Sequence, residues 1–174
     1  PLPSSHLRMK LVRLVTTASL LAALVASGVT LAADTKAPSA AKSAPTEPPQ
    51  PPPTQANVRY GSHERQVLDF WQARASGPTP LVFHIHGGGW VNGDKARVSR
   101  LERYLEEGIS VVSINYRFVT HAIEAGIKPP VKWPLDDAAR ALQFVRSKAR
   151  EWNIDPERIG ATGGSAGACS SLWL

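Results

Sequence analysis

Apolar and amphipathic segments alternate along the last two thirds of the chain. The runs 81–85 and 109–114 are predominantly apolar, which is typical of strands buried on both faces of a sheet. Over 98–109 and 135–152, apolar residues recur every three or four positions, as on the buried face of a helix. Gly108 stands where the first of these helices would end, and Pro134 fits the first turn of the second.

Further segments complete this pattern. Two short strands with a polar turn between them are predicted at 58–60 and 67–71, and a third at 158–162, after a turn at residues 155–156. A glycine-rich corner follows, and then an apolar helix that begins at Ala166. Because strands and helices alternate, the sequence predicts an α/β fold with a mostly parallel sheet and crossover helices.

The first 56 residues differ from the rest in composition. They hold 9 of the 15 prolines and none of the aromatic residues, so a single globular domain is predicted at 57–174. Residues 34–56 are rich in Pro, Ala, Ser and Thr and are predicted to be a linker. Residues 1–33 are predicted to be upstream residues and a signal peptide, in which Lys10 and Arg13 precede an apolar stretch and small residues lead to Ala33.

Polar residues interrupt that apolar stretch, which favours a cleaved signal over a membrane anchor. We therefore expect an exported protein, periplasmic or secreted, with no stable membrane insertion after cleavage. The net charge of +6 is divided equally between 1–56 and 57–174, and basic residues of the domain are dispersed among acidic ones. This distribution does not favour a nucleic-acid partner. The single cysteine, Cys169, excludes an internal disulfide and is predicted to pack in the core.

Residues 163–167 have the sequence GGSAG, a G-x-S-x-G motif between a predicted strand and a predicted helix. In that context the motif forms a sharp turn that presents the serine hydroxyl at the carboxyl end of the sheet. Gly163 and Gly167 leave room for the close backbone approach that such a turn needs. The sequence thus predicts Ser165 as a nucleophile.

Residues 86–90 have the sequence HGGGW and directly follow the buried strand at 81–85. Three successive glycines let a loop present backbone N–H groups without interfering side chains, as an oxyanion hole requires. A phosphate-binding loop would end in Gly-Lys-Ser/Thr, which is absent here.

Together, the two motifs and their spacing resemble the α/β-hydrolase carboxylesterases of the hormone-sensitive-lipase and feruloyl-esterase-like kind. The resemblance covers about residues 58–174, and it implies the N-terminal portion of a sheet with helices on both faces. The matching segments are HIHGGGW at 84–90, GD at 93–94, NYR at 115–117, DD at 136–137, DPERI at 155–159 and GGSAG at 163–167.

The resemblance implies a role for each matching position. Ser165 would be the nucleophile, and the amides of Gly88, Gly89 and Ala166 would hold the oxyanion. His86 would brace the glycine loop rather than act as the base. Trp90 and Tyr116 would pack around the loop, and Asp94 would fix the turn after it. Asp137 would cap or pair at its helix. Gly87, Gly163 and Gly167 would be supporting residues of the loop and of the serine turn.

In this family the acid and the histidine of the triad follow the serine. Only nine residues follow Ser165, and none of them is Asp, Glu or His. The five histidines all precede it, and His121 is expected in a loop that could line a pocket. We therefore expect a C-terminally truncated fragment that is neither stable nor active by itself.

No cofactor and no metal is predicted. His84 and His86 would share one face of a strand, but no third ligand has suitable spacing. Nothing in the sequence brings the carboxylates of Asp94, Asp136 and Asp137 together. Trp173 and Leu174 are predicted as core residues of the last helix.

The sequence therefore predicts a serine hydrolase that cleaves carboxylic esters through an acyl-enzyme, with a small-molecule or polysaccharide-linked ester as substrate. Two alternatives remain: an amidase or peptidase on the same fold, and a binding module that has lost its catalytic activity. The oligomeric state is not predicted.

Overall fold

The structure is a computed structural model that describes residues 49–174, so the predicted signal peptide and most of the predicted linker lie outside the described residues. Within the described part, the five predicted strands and three predicted helices are present, together with one further helix. They are β1 (Gln55–Arg59), β2 (Val67–Trp71), β3 (Thr79–Ile85), α1 (Leu101–Glu106), β4 (Ser110–Ile114), α2 (Val119–Glu124), α3 (Lys132–Ser147), β5 (Ile154–Gly163) and α4 (Ala166–Trp173). In this part of the chain, no helix has both the length and the apolar character to cross a bilayer.

The strands form one sheet in the order β1-β2-β4-β3-β5. β3 pairs in parallel with β4 on one side and with β5 on the other. β1 and β2 extend the sheet as an antiparallel hairpin, and β2 also pairs antiparallel with β4. The α/β-hydrolase fold class is confirmed, with the parallel pairing confined to β4, β3 and β5.

Helices cover both faces of the sheet because the strands carry two sets of buried apolar residues. On one face, Phe83, Ile85 and Val112 pack in one cluster with the buried stripe of α3. On the other face, Val111 packs with Val98 and with Leu101 of α1. Every residue of β4 is buried, as its predominantly apolar sequence predicts for a central strand.

Several boundaries differ from the predicted ones. α1 is shorter than predicted because Arg100 adopts a left-handed φ of 61°, which separates the turn at Val98 from the helix. Gly108, with φ of 73°, follows its last turn as predicted. β5 begins at Ile154 rather than 158, so the predicted turn at 155–156 lies in a bulge within the strand. α2 was not predicted, and it places His121 in a helix rather than a loop.

The ordered domain also reaches into the segment predicted as a linker. Gln50 hydrogen bonds through its side-chain amide to both the N–H and the carbonyl of Val98. The Pro51 carbonyl accepts a hydrogen bond of 2.8 Å from the Trp71 indole. The hydroxyl of Thr54 accepts one of 3.0 Å from the amide of Gln72. Residues 50–54 thus contact the sheet before β1 begins.

The strand order determines where the two motifs meet. The glycine loop follows β3, and the serine turn follows β5, its parallel neighbour. Ile85 lies opposite Gly163 at the carboxyl ends of these strands. Ligands of open α/β sheets bind at this edge.

Candidate active site

Ser165 occupies a strained corner between β5 and α4. Its φ of 52° and ψ of −121° are unfavourable for a residue with a side chain, at a cost of about 1–3 kcal/mol. The residue is exposed, and within residues 49–174 its hydroxyl has no hydrogen-bond partner. This is the geometry expected of a nucleophile turn.

Two glycines allow this corner to pack against β3. A Cβ atom on Gly163 would lie 2.3 Å from the carbonyl oxygen of Ile85, and one on Gly167 would lie 2.0 Å from the same atom. Both contacts are with backbone, which cannot move aside as a side chain can. The predicted need for glycine on each side of the serine therefore has a steric cause.

The glycine loop passes alongside the serine. A Cβ atom on Gly87 would lie 3.6 Å from the Cβ of Ser165. Gly88 and Gly89 have φ of 98° and 60°, in the region that favours glycine. Within residues 49–174, the amides of Gly88, Gly89 and Ala166 donate to no protein acceptor. Within the described residues, these three amides of the glycine loop and the serine turn thus have no protein acceptor.

His86 is buried at the start of this loop and stacks on Tyr116, with 4.3 Å between the ring centroids. Its Nδ1 lies 2.8 Å from the carbonyl oxygen of Gly87. Burial lowers the pKa of His86, so its ring is neutral at neutral pH. The Tyr116 hydroxyl donates to the carbonyls of His86, at 2.8 Å, and Gly87, at 3.3 Å. Burial raises the pKa of Tyr116 to about 12, which keeps this donor protonated.

Trp90 links the glycine loop to α4. Its indole Nε1 donates to the hydroxyl of Ser170 at 3.0 Å, and that hydroxyl donates to the carbonyl of Ala166 at 3.0 Å. The loop is therefore connected by side-chain hydrogen bonds to the first turn of the helix after the serine. Packing around the loop was expected of Trp90, whereas Ser170 was not identified from the sequence.

Asp94 fixes the turn after the glycine loop. Its carboxylate accepts hydrogen bonds from the amide of Ala96, at 2.8 Å, and from the side chain of Asn115, at 2.7 Å. Burial raises the pKa of Asp94, but these hydrogen bonds together with the positive charges of Lys95 and Arg65 outweigh it, and the net shift is downward. Next to this turn, the ammonium group of Lys95 forms a buried ion pair of 2.8 Å with Asp69 of β2. This pair was not predicted from the sequence.

Asp137 is fully buried in α3 and pairs with Arg117 rather than facing the serine. The guanidinium of Arg117 contacts both carboxylate oxygens, at 2.6 and 2.9 Å, and Gln66 donates to one of them at 2.7 Å. The hydrogen bond to Asp137 raises the pKa of Arg117. Asp136 instead pairs with Lys132 on the exposed side of the helix. The described residues contain no group of three potential metal ligands.

The histidines of the described region all have partners away from the serine. In β3, Nδ1 of His84 lies 3.0 Å from the hydroxyl of Ser113. His63 and His121 each accept a hydrogen bond from a nearby backbone amide, and their rings lie 5.0 Å apart. His6 lies outside the described residues. Within residues 49–174, no histidine hydrogen bonds to Ser165.

Two predictions about α4 were wrong. Cys169 is exposed rather than packed in the core. Trp173 and Leu174 are also exposed, to 52% and 40%. The helix buries its small residues, Ala166, Gly167 and Ser170, against the sheet, whereas the large apolar residues at its end are exposed.

Comparison with known proteins agrees with this geometry. The profile of the BD-FAE family matches residues 68–173, more than half of the chain. Esterase LipQ of Mycobacterium tuberculosis is 33% identical over 121 residues, which are 65% of this chain and 27% of that protein. Gut esterase 1 of Caenorhabditis elegans is 31% identical over 120 residues, 66% of this chain and 21% of that protein. The chain thus spans about a quarter of the length of these curated relatives.

Solved structures that resemble this chain also include esterases. A truncated carbohydrate esterase from gut microbiota superposes with a TM-score of 0.57 at 32% identity, over 68% of this chain and 41% of that one. An acetyl ester-xyloside bifunctional hydrolase from Caldicellulosiruptor lactoaceticus superposes with a TM-score of 0.51 at 30% identity, over 60% of this chain and 36% of that one. The profile match, the sheet order and the two motifs lead to one conclusion: the chain belongs to the BD-FAE family of α/β-hydrolase carboxylesterases.

Proposed function

We propose that the protein hydrolyses carboxylic esters through Ser165. The strongest support is that the glycine loop lies close to Ser165 and that, within residues 49–174, the amides of Gly88, Gly89 and Ala166 donate to no protein acceptor. Ester hydrolysis needs this combination of a nucleophile and donors for the negative charge that develops on the carbonyl oxygen.

The reaction proceeds in two steps. The Ser165 oxygen attacks the ester carbonyl and gives its proton to a histidine supplied from outside residues 49–174. The tetrahedral oxyanion accepts hydrogen bonds from the amides of Gly88, Gly89 and Ala166. The histidine gives its proton to the leaving oxygen as the C–O bond of the ester breaks, which yields an acyl-serine and a neutral alcohol. Water, activated by the same histidine, then attacks the acyl-serine and releases the acid.

The substrate class we propose is an ester of a small molecule or an acyl group linked to a polysaccharide. Carbohydrate-directed esterases among the similar structures support this choice. An exported protein, as the basic and apolar pattern of residues 1–33 predicts, would meet polysaccharide esters outside the cell.

The first prediction concerns Ser165 itself, in the longest natural polypeptide that contains these residues. Ser165→Ala is expected to abolish turnover of a short-chain aryl ester and labelling by a fluorophosphonate probe, because both require the serine oxygen. Ser147→Ala, which changes an exposed hydroxyl at the end of α3, is the matched control and should behave like the wild type.

Parallel assays with the corresponding amide and with dipeptides test the competing reactions. Faster amide than ester hydrolysis would replace the esterase proposal by an amidase or peptidase. A wild-type protein that the probe does not label would contradict the enzyme proposal and favour a binding module.

A further inference from the structure

Arg65 lies in the turn between β1 and β2, far in sequence from both motifs, yet its side chain reaches the glycine loop. Its Nε donates to the carbonyl of Tyr116 at 2.9 Å, and its Nη2 donates to the carbonyl of Gly93 at 2.9 Å. The guanidinium carbon lies 3.8 Å from the centre of the Phe118 ring. One half-buried side chain thus joins the segment after β3 to the segment after β4.

These contacts hold both ends of the segment 86–93, which contains the glycine loop. Gly93 is at the downstream end of this segment, where Arg65 bonds directly. Tyr116 bonds through its hydroxyl to the carbonyls of His86 and Gly87 at the upstream end. The guanidinium therefore holds one end itself and the other end through the main chain of Tyr116.

The two ends of the loop also touch each other. Gly93 has φ of 109°, and a Cβ atom there would lie 2.4 Å from Nδ1 of His86 and 2.8 Å from the carbonyl oxygen of Gly87. The loop is therefore closed at its base, and the free amides of Gly88 and Gly89 lie within the closed segment. A small change in the spacing of the base would change where those amides point.

The backbone that carries Arg65 is itself anchored. The amide of Arg65 donates to Nδ1 of His63 at 3.1 Å, and the amide of His63 donates to the side chain of Gln66 at 3.0 Å. Gln66 in turn donates to the buried carboxylate of Asp137 at 2.7 Å. The guanidinium is thus placed by a turn that is tied to α3.

We propose that Arg65 is a positioning residue for the oxyanion hole: by bridging Gly93 and Tyr116 it sets the base of the glycine loop and so aims the amides of Gly88 and Gly89. This inference rests on the proposed esterase function. Arginine suits the task because its planar group presents donors on separate nitrogens, whereas a lysine ammonium is a single compact charge.

The test compares Arg65→Lys with Arg59→Lys in the longest natural polypeptide that contains these residues. Arg59 lies in the same hairpin and also donates to a backbone carbonyl, that of Ser62, but it is exposed and does not reach the loop. Displaced oxyanion donors mainly affect the transition state, so Arg65→Lys is expected to lower kcat roughly tenfold or more while KM changes little. Arg59→Lys should retain the wild-type kcat.

Two further readouts separate positioning from general damage to the fold. Titration of reactive Ser165 with a fluorophosphonate gives the fraction of folded sites, and kcat is expressed per titrated site. In Arg65→Ala, added ethylguanidinium should restore part of the lost kcat by occupying the vacated position, whereas it should not affect Ser165→Ala.

A wild-type kcat per titrated site in Arg65→Lys would overturn this inference and leave the esterase proposal intact. A loss of kcat that parallels the loss of titrated sites, without rescue by ethylguanidinium, would overturn it as well. If the probe does not label wild-type Ser165, the proposed function fails, and this inference fails with it.

Discussion

At the scale of single residues, the serine corner depends on positions where only glycine fits. Gly167→Ala is expected to lower the free energy of unfolding by about 1–3 kcal/mol or more, since the new Cβ would lie 2.0 Å from the backbone oxygen of Ile85. Urea denaturation measures the loss.

Gly160→Ala is the matched control for this substitution. Gly160 lies in β5, and no atom lies within 4 Å of the position its Cβ would take. The free energy of unfolding of Gly160→Ala should therefore stay close to that of the wild type. Equal stability losses at the two positions would contradict the steric explanation.

His84 is expected to make the free energy of unfolding depend on pH. Burial, with a smaller effect from His86, lowers the pKa of His84 to about 4. Above the ordinary histidine pKa of about 6.5, His84 is neutral in both folded and unfolded chains. As the pH falls from about 6.5 to about 4, the unfolded chain binds a proton that the folded chain does not, which costs about 3 kcal/mol.

His84→Gln is expected to remove this part of the pH dependence. Urea unfolding of both proteins at about pH 7.5 and about pH 5, on either side of the ordinary histidine pKa, measures it. Burial also lowers the pKa values of His63 and His86, so the variant keeps some sensitivity to acid. The same slope in the two proteins would show that His84 is not responsible.

At the scale of elements, Trp90 and Ser170 couple the glycine loop to α4. Trp90→Phe and Ser170→Ala each remove the hydrogen bond of 3.0 Å between them. A double-mutant cycle on the free energy of unfolding is expected to give a coupling of about 1 kcal/mol.

The control cycle pairs Trp133→Phe with Ser170→Ala. Trp133 is in α3, where its ring lies 4.0 Å from the guanidinium of Arg117, and it does not bond to Ser170. The two control substitutions should be additive. A coupling in both cycles, or in neither, would argue against the direct bond.

The sequence predicts most elements because their apolar periodicity is strong. It misses α2, whose start is fixed by His121, which accepts a hydrogen bond from the amide of Phe118; the usual signal at that position is Glu or Gln. It places Ser165 and the glycine loop each after a strand, whereas the pairing of those two strands, β5 and β3, is found only in the structure. Ser170 and Arg65 are missed because neither position belongs to a motif.

At the scale of the whole molecule, α4 presents an apolar surface to solvent. Leu172 is 90% exposed, and Trp173 and Leu174 are exposed beside it. Contiguous apolar surface promotes association. The isolated chain is therefore expected to self-associate, and the double substitution Leu172→Gln/Trp173→Gln is expected to reduce this association in sedimentation velocity.

Ile123→Gln is the control for that experiment. Ile123 is 61% exposed but lies on α2, so its substitution should leave association unchanged. Equal effects of Ile123→Gln and the double substitution would point to general hydrophobicity rather than to the end of α4.

The predicted boundary of the domain shows what composition alone misses. A proline-rich segment is typical of a linker, and that interpretation ignores individual side chains. Here the side chain of Gln50 forms hydrogen bonds with the backbone of Val98, and the carbonyl of Pro51 accepts a hydrogen bond from the indole of Trp71. Such contacts depend on tertiary structure and have no periodic signal in the sequence.

The strained backbone of Ser165 has a consequence for the trade-off between stability and activity. At φ of 52° and ψ of −121°, glycine would cause less steric strain than serine, because it has no Cβ that clashes with the backbone. A serine there makes the fold less stable than glycine would, and the proposed reaction needs its hydroxyl in spite of that cost. Engineering for stability alone would therefore remove the proposed nucleophile, and engineering for both stability and activity must find its gains away from this corner.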